Sequence, residues 1–384
     1  MATTKVIPGV LDLNQANSES GLRMPTGTAY AAPPTVAEGM MRNDTSQSSL
    51  SSASTMQHYT GNNEWKNFVN TAEDLNVEFL IVAGGGAAGS GEYGGGGGAG
   101  GLRSGTSSVT RNANIAVSVG AGGAINASQT TRGNSGADSS VAFPGGTISA
   151  TGGGGGGARN SNSANAAITQ GGSGGSGGGD SLPTTTGGAG NAGGYTPVEG
   201  FKGGGNGGNT GYEYGNGGGG AAQEGTTATN PGYFILGAQG GNGASTTIIN
   251  SSEQSTYTVG EDVSGTIYFA GGGAGGGNGS QQDLTRIESG DGNGGKAGYY
   301  NSSSASTITP IATLANTGGG GCGAGVSSNG LAGAAGVIIL KYDSGLTCTD
   351  ESGGTLTGNF DVSSYTSGKK ITIIKGNAGN IKFS

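Results

Sequence analysis

Histidine occurs once in this 384-residue sequence, at His58, and that scarcity removes most acid–base and nucleophilic chemistry. A Ser-His-Asp or Cys-His arrangement would have to be built around this one side chain, and no nucleophile motif lies beside it. His58 is therefore read as a surface or structural residue. Cysteine occurs twice, at Cys322 and Cys348, too few for a disulfide framework or a four-ligand zinc site. The two are either plain thiols of a protein folded in a reducing compartment or one bridge tying the C-terminal segment to what precedes it. No run of 18 apolar residues is present, which argues against a membrane-spanning helix. The first residues, MATTKVIPGVLDLNQ, lack the apolar stretch of a signal peptide. Lys and Arg together number 16 against 24 acidic residues, for a net charge of −8, so the clustered positive charge of a nucleic-acid binder is missing.

What the chain has instead is glycine, 91 residues of it, and all but twelve lie between Gly84 and Gly336. Collagen does not fit, because the glycines come as consecutive runs such as Gly152 to Gly157 and proline occurs only nine times. A disordered linker does not fit either. Short segments rich in β-branched and aromatic residues recur through the region, among them NIAVSVGAGG, SSVAFPGGTISATGG, STTIINSS, GTIYFAGGG and GVIILKY. Gly84, Gly86 and Gly89 have the G-x-G-x-x-G spacing of a dinucleotide site. That site needs a helix directly after the third glycine, and SGEYGGGGGAGG forbids one.

About a dozen glycine runs are separated by intervals of variable length. Consecutive glycines adopt the left-handed, three-residue-per-turn helix also taken by proline, with backbone polar groups pointing outward. Packed side by side, such helices satisfy one another's N–H and C=O groups, and the missing Cβ permits the close approach. The expected fold is therefore mainly irregular and β, with little α-helix: a packed polyglycine-helix domain over 76–342 flanked by small β modules. Gly84, Gly86, Gly155, Gly219, Gly272 and Gly319 are structural positions of that lattice. Alanines such as Ala87, Ala88 and Ala99 would face outward or meet a wider gap. Val337–Tyr342 is expected to pair with Phe79–Ala83 and join the ends of the domain. Residues 1–75 are expected to form a β-rich attachment and trimerisation module. It includes a small antiparallel meander over GMMRND, TMQHYTG and EWKNFV, with Trp65, Tyr59 and Phe68 as its core, and a weak helix near Thr71–Leu75. Residues 343–384 alternate as a small C-terminal β module.

The segments VEFLIVAGGGAAG, GGGGGAGGLRSG with IAVSVGAGG, NSGADSSVAFPGGTISATGGGGGG, GTIYFAGGGAGGG, and NTGGGGCGAG leading to GVIILKY resemble, in order, the glycine-rich domains of tail fibres and related adhesive appendages of tailed bacteriophages. The tryptophan after the turn Gly61-Asn62-Asn63-Glu64 is similar to a short β module of phage fibre proteins. This resemblance implies a sandwich of polyglycine helices with receptor-reading loops at one end. It implies a virion protein, homotrimeric, that contacts a host receptor (a polysaccharide or an outer-membrane protein) and docks to other virion proteins through its N-terminus. A head fibre or capsid decoration protein without receptor specificity is the alternative, and a polysaccharide-depolymerising appendage is a second. The absence of heptads departs from fibres that carry a coiled-coil shaft.

The functional expectation is binding rather than catalysis, with no cofactor and no metal. Aromatic residues in the intervals are the candidate receptor contacts: Tyr93, Tyr195, Phe201, Tyr212, Tyr214, Tyr233, Phe234, Tyr299 and Tyr300. Tyrosine offers large contact area at low entropic cost, and the same residues also suit packing over the lattice or between subunits. Asp180, Glu199, Glu213, Glu224, Asp262, Asp283, Glu288 and Asp291 are scattered singly and read as solvated loop acids, although two that met in space would suit glycan hydrolysis. GDGNGG at Gly290–Gly295 lacks the further acidic ligands of a calcium loop.

Overall fold

The computed structural model describes residues 26–27, 41–44, 55–59, 65–67, 75–91, 93–126, 128, 131–159, 165–181, 186–205, 215–228, 238–278, 292, 299–300, 312–323, 329–351, 360–365, 368–376 and 379–384. The chain divides into two compact units, 1–73 and 74–384.

In the first unit, β1 (Thr26–Gly27) runs parallel to β2 (Met41–Asp44). β2, β3 (Thr55–Tyr59) and β4 (Trp65–Asn67) then form the expected antiparallel meander. Trp65 stands opposite Tyr59 in the register, and Phe68 lies outside the described residues.

Leu75, expected to end a helix, instead opens β5 (Leu75–Val82); residues 71–74 lie outside the described residues. β5 pairs antiparallel with β6 (Leu102–Val109) on one side. Further along the chain come β7 (Ile115–Ser118) and the hairpin of β8 (Ser139–Phe143) and β9 (Gly146–Ala150). A short α1 (Ala166–Thr169) follows, then β10 (Ala244–Thr246), α2 (Ser251–Tyr257), β11 (Glu261–Val263), β12 (Thr266–Phe269), β13 (Gly277–Asn278) and β14 (Tyr299–Tyr300). The segment STTIINSS, expected as a strand, is extended only to Thr246. Asn250 then caps α2 and exchanges hydrogen bonds with Glu253 in a capping box.

β15 (Val337–Asp343) lies on the other side of β5, with Leu340 opposite Phe79, so the start and end of the glycine region are joined as expected. The segment after Asp343, expected as a small β module, gives its strands to the same unit. β16 (Cys348–Asp350), β17 (Phe360–Tyr365), β18 (Lys369–Ile374) and β19 (Asn380–Phe383) complete two five-stranded sheets, ordered β17-β18-β15-β5-β6 and β16-β19-β7-β8-β9. Strand alternation sends Val77, Phe79, Ile81, Ile338, Leu340 and Tyr342 into a core shared with Ile115, Val117, Val141, Phe143, Ile381 and Phe383 from the other sheet. Leu80, Val82, Ile339, Ile371 and Ile373 point to the opposite face, where Ile248, Ile249, Val259, Ile267 and Phe269 cover them. The central sheet is therefore buried on both sides, which explains the near-continuous apolar runs in β5 and β15.

From Ala83 onward the core is backbone. Along the first glycine run the N–H groups donate to three neighbours in rotation: Gly84 and Ala87 to the carbonyls of Ala137 and Asn134, Gly85 and Ala88 to Ala334 and Leu331, Gly86 and Gly89 to Gly98 and Gly95. A donor direction that recurs every third residue is the signature of a threefold helix. The same run accepts from three further segments, through Gly153 and Gly156, through Gly123, and through Gly321, so six neighbours surround it. Each N–H from Gly84 to Gly89 and the carbonyls of Gly84 to Ala87 are thereby satisfied by backbone alone. A Cβ at Gly84, Gly86, Gly155, Gly219 or Gly272 would overlap the carbonyl oxygen of Ala121, Gly154, Gly133, Phe201 or Gly218 respectively. Gly319 is buried in the same lattice and its carbonyl accepts from Ala334. Ala87, Ala88 and Ala99 are not outward-facing: all three are fully buried, and Ala99 adds its methyl to the apolar face around Leu80 and Phe269.

Both cysteines are buried and neither forms a disulfide. Burial pushes the Cys348 thiol up from 9.0 to about 12 and raises the Tyr342 hydroxyl for the same reason. The Tyr342 Oη lies 2.7 Å from the Thr372 hydroxyl. An unfolded chain releases the Cys348 proton near pH 9.0, whereas the fold keeps it to about 12; its contribution to stability is complete below that window and is lost as pH rises through it. Native protein at about pH 8 is expected to resist alkylation at Cys348, with modification appearing only on unfolding, as read by mass spectrometry.

Candidate recognition surface

Two of the acids between the glycine runs, expected as solvated loop residues, are not. Asp180 and Glu199 are fully buried. The Asp180 carboxylate accepts the Gly171 N–H at 2.8 Å, and Glu199 accepts from Thr151 at 2.8 Å and Gly193 at 3.3 Å. Asp138 accepts from Gly152 at 2.8 Å and Glu261 from Gly292 at 2.7 Å. At the end of a run the neighbouring carbonyl gives out, and a buried N–H left without an acceptor costs about 1–3 kcal/mol. A carboxylate oxygen takes the carbonyl's place. Ser139 and Asn216 do the same for Gly120 and Ala228. Glu224 does sit in solvent, 3.3 Å from Lys202, and exposed Asp262 closes a turn onto Gly265. Glu213, Asp283, Glu288 and Asp291 lie outside the described residues. Asp180→Ala is expected to lower stability by about 1–3 kcal/mol and Asp180→Asn, which keeps an acceptor oxygen, by far less, measured as urea midpoints.

One interval stands apart from the lattice and presents side chains at the surface. Residues 190–201 leave the lattice and return to it over Glu199, whose carbonyl accepts the Leu102 N–H at 2.9 Å. Asn191 braces the loop from within. Its side chain accepts the Tyr195 N–H at 3.1 Å and donates to the Tyr195 carbonyl at 3.0 Å. The loop turns through a cis Thr196–Pro197 peptide and presents Val198, 51% exposed. The Tyr195 ring is half-buried. It folds back above Gly193, where any Cβ would overlap it, and meets the Arg103 guanidinium carbon 4.1 Å from its centroid. Arg103 projects from β6, the edge strand of its sheet, and donates from Nη1 to the Ser149 carbonyl at 3.1 Å.

Among the other expected contacts, Tyr93 is buried at a positive φ of 62°, packs with Ala228 and Ala238, and has Arg159 5.8 Å from its ring. It is a packing residue. Phe201 is half-buried at the lattice edge, where its carbonyl accepts from Gly177 at 2.9 Å. Tyr299 and Tyr300 form β14, paired in parallel with Gly277 and Asn278. Tyr212, Tyr214, Tyr233 and Phe234 lie outside the described residues. The structure thus joins Tyr195 to Arg103 and Glu199, two residues that the aromatic pattern did not select. The available signal was position: Arg103 stands two residues after a glycine run, and Glu199 directly precedes Gly200.

A hydroxyl-rich cleft of about 380 Å³ opens on the other face of β6, lined by Glu78, Ser104, Thr106, Ser245, Thr246 and Ile248 among others. Glu78 is held there by Lys341 at 2.8 Å. Among the described residues no group of three or more His, Cys, Asp or Glu is placed to hold a metal ion.

A family model described as a glycine-rich domain matches residues 60–343. No curated protein matches the chain.

Proposed function

The chain belongs to the glycine-rich domain family, and from that premise we propose that it is a virion fibre or adhesin of a tailed phage that binds the host cell surface through loops of this domain. The observation that supports the reading is the 190–201 interval. A buried carboxylate and an internal asparagine hold it on the lattice, and it presents an exposed valine and a half-buried tyrosine ring that meets the Arg103 guanidinium of β6. Recognition surfaces combine such anchors with a preorganised support. In this reading residues 1–75 dock to other virion proteins and assemble the homotrimer, since a module of that size is marginal without partners. No catalytic role is assigned.

Purified full-length protein is expected to adsorb to susceptible cells and to compete with infection. Its incorporation into particles without adsorption to any strain of a susceptible panel would favour a head decoration protein, and release of reducing ends from host polysaccharide would favour a depolymerase. Sedimentation is expected to report a trimer, and a full-length monomer would sink the assembly part of the reading.

A further inference from the structure

We infer that Arg103 and Tyr195 form a binding site for the carboxylate of an acidic sugar. The inference rests on the adhesin reading and names its ligand class.

Arg103 lies on an edge strand with its guanidinium carbon over a tyrosine ring, 4.1 Å from the centroid. A guanidinium carries five N–H donors in a rigid fork, and the Ser149 carbonyl accepts only one of them. Among the described residues, ion pairs join Lys202 to Glu224, Lys341 to Glu78 and Lys369 to Asp343, and Arg103 belongs to none of them. The contrast with Arg132 is informative, since that side chain donates from Nε to Gln170 and from Nη2 to Ala167 and serves the fold. Glu199, the nearest acid along the 190–201 loop, is buried and turned to the Thr151 and Gly193 amides. The Tyr195 ring on one side and the Ser149 bond at Nη1 restrain the guanidinium, so less rotamer freedom remains to be lost when a ligand pairs with its fork.

A planar carboxylate matches that fork with two parallel hydrogen bonds. The apolar groups that the loop offers to the rest of the ligand are the Tyr195 ring, 4.1 Å from the guanidinium carbon, and exposed Val198 three residues further along, and they form an apolar flank. Such a flank suits the C–H face of a pyranose. The chain's net charge of −8 disfavours long-range capture of multiply charged phosphates, so a singly charged carboxylate recognised at short range is the better fit.

The test uses full-length protein and two probes, a glucuronate-containing oligosaccharide and its carboxyl-reduced counterpart, with affinities measured by calorimetry. Wild type is expected to bind the glucuronate form about tenfold or more tightly than the reduced form. Arg103→Lys, which keeps the stem and the charge but neither forks nor stacks, is expected to lose about tenfold. Arg103→Ala should abolish the preference, and Lys202→Ala should retain it. Circular dichroism checks folding, and if Arg103→Ala misfolds, Arg103→Lys decides. Equal binding of the two probes, no binding of glucuronate by wild type, wild-type affinity in Arg103→Lys, or easier displacement by inorganic phosphate than by acetate would each overturn the site. Cell adsorption run in parallel separates the two readings. Adsorption that survives Arg103→Ala removes this site and leaves the adhesin, whereas glucuronate binding without adsorption removes the adhesin and leaves the site.

Discussion

Gly155→Val is expected to abolish the folded state of the second unit. A Cβ at this position overlaps the Gly133 carbonyl, and the obstacle is backbone, so no side chain can swing away. Moving Gly133 aside breaks its N–H bond to Gly156, made at 2.9 Å. Moving Gly155 instead breaks the Gly172 N–H bond to its own carbonyl at 2.7 Å, and strains the bonds that Gly154 and Gly156 donate to Ser176 and Ala87. Each buried peptide group left unmade costs about 1–3 kcal/mol, and overpacking adds about 1–3 kcal/mol more. Together these approach or exceed the whole stability of a typical domain, about 5–15 kcal/mol. Gly145→Ala is the matched control, since a Cβ there meets nothing within 4 Å, and its effect should stay within about 0.5 kcal/mol. Soluble yield and far-ultraviolet circular dichroism report both variants; a folded Gly155→Val protein would refute the backbone lattice.

Phe383→Ala should cost about 3–5 kcal/mol although it lies one residue from the end of the chain. The ring is fully buried and meets Tyr342 edge-on, with centroids 5.0 Å apart and planes at 78°. The strand that carries it bridges two parts of one sheet, with Asn380 and Ile381 paired to β7 and Cys348 opposite Phe383 itself. Ser384 closes the edge by exchanging backbone bonds with Thr347 at 2.9 and 3.0 Å. Phe383→Leu, which refills part of the volume, should recover a large share of the loss. Denaturant midpoints decide the matter, and a shift below about 1 kcal/mol for the alanine variant would show that the core does not depend on this strand.

The pairing of β5 with β15 was legible because both are apolar runs with glycine at one end, and β8–β9 because SSVAFPGGTISA puts a turn between two alternating halves. The existence of the lattice was legible too, since only glycine permits that approach of backbones. Which run neighbours which was not. Glycine runs are chemically alike and carry no side chain to specify a partner or a register. That information sits in the intervals, in Asp138, Asp180, Glu199 and Asn216, whose side chains reach back to particular amides. Read singly they resemble solvated polar side chains, because their role depends on an N–H brought close by the fold. Tyr93 was misleading for a related reason: SGEYGG has the look of a loop, yet a left-handed backbone at the tyrosine turns its ring inward. The signal for α2 was present, as Asn250 and Glu253 stand at capping-box spacing, but the preceding TTII gave a stronger β pattern. Arg103 and Tyr195 are brought together only by the tertiary fold.

A core of peptide groups also changes how stability responds to temperature. Exposing apolar surface raises the heat capacity by about 0.45 cal/K/mol per Å², whereas exposing polar surface lowers it by about 0.26. Unfolding the glycine runs wets amides far more than hydrocarbon, so the two contributions offset each other to an unusual degree. The increment per residue should then fall below the customary 12–15 cal/mol/K or so, and the dome of free energy against temperature flattens. A sandwich held by Phe143 and Tyr342 alone would weaken on cooling as hydration entropy fades; the polyglycine lattice beside it should have little such dependence to lose, which calorimetric unfolding would show as a low heat-capacity increment.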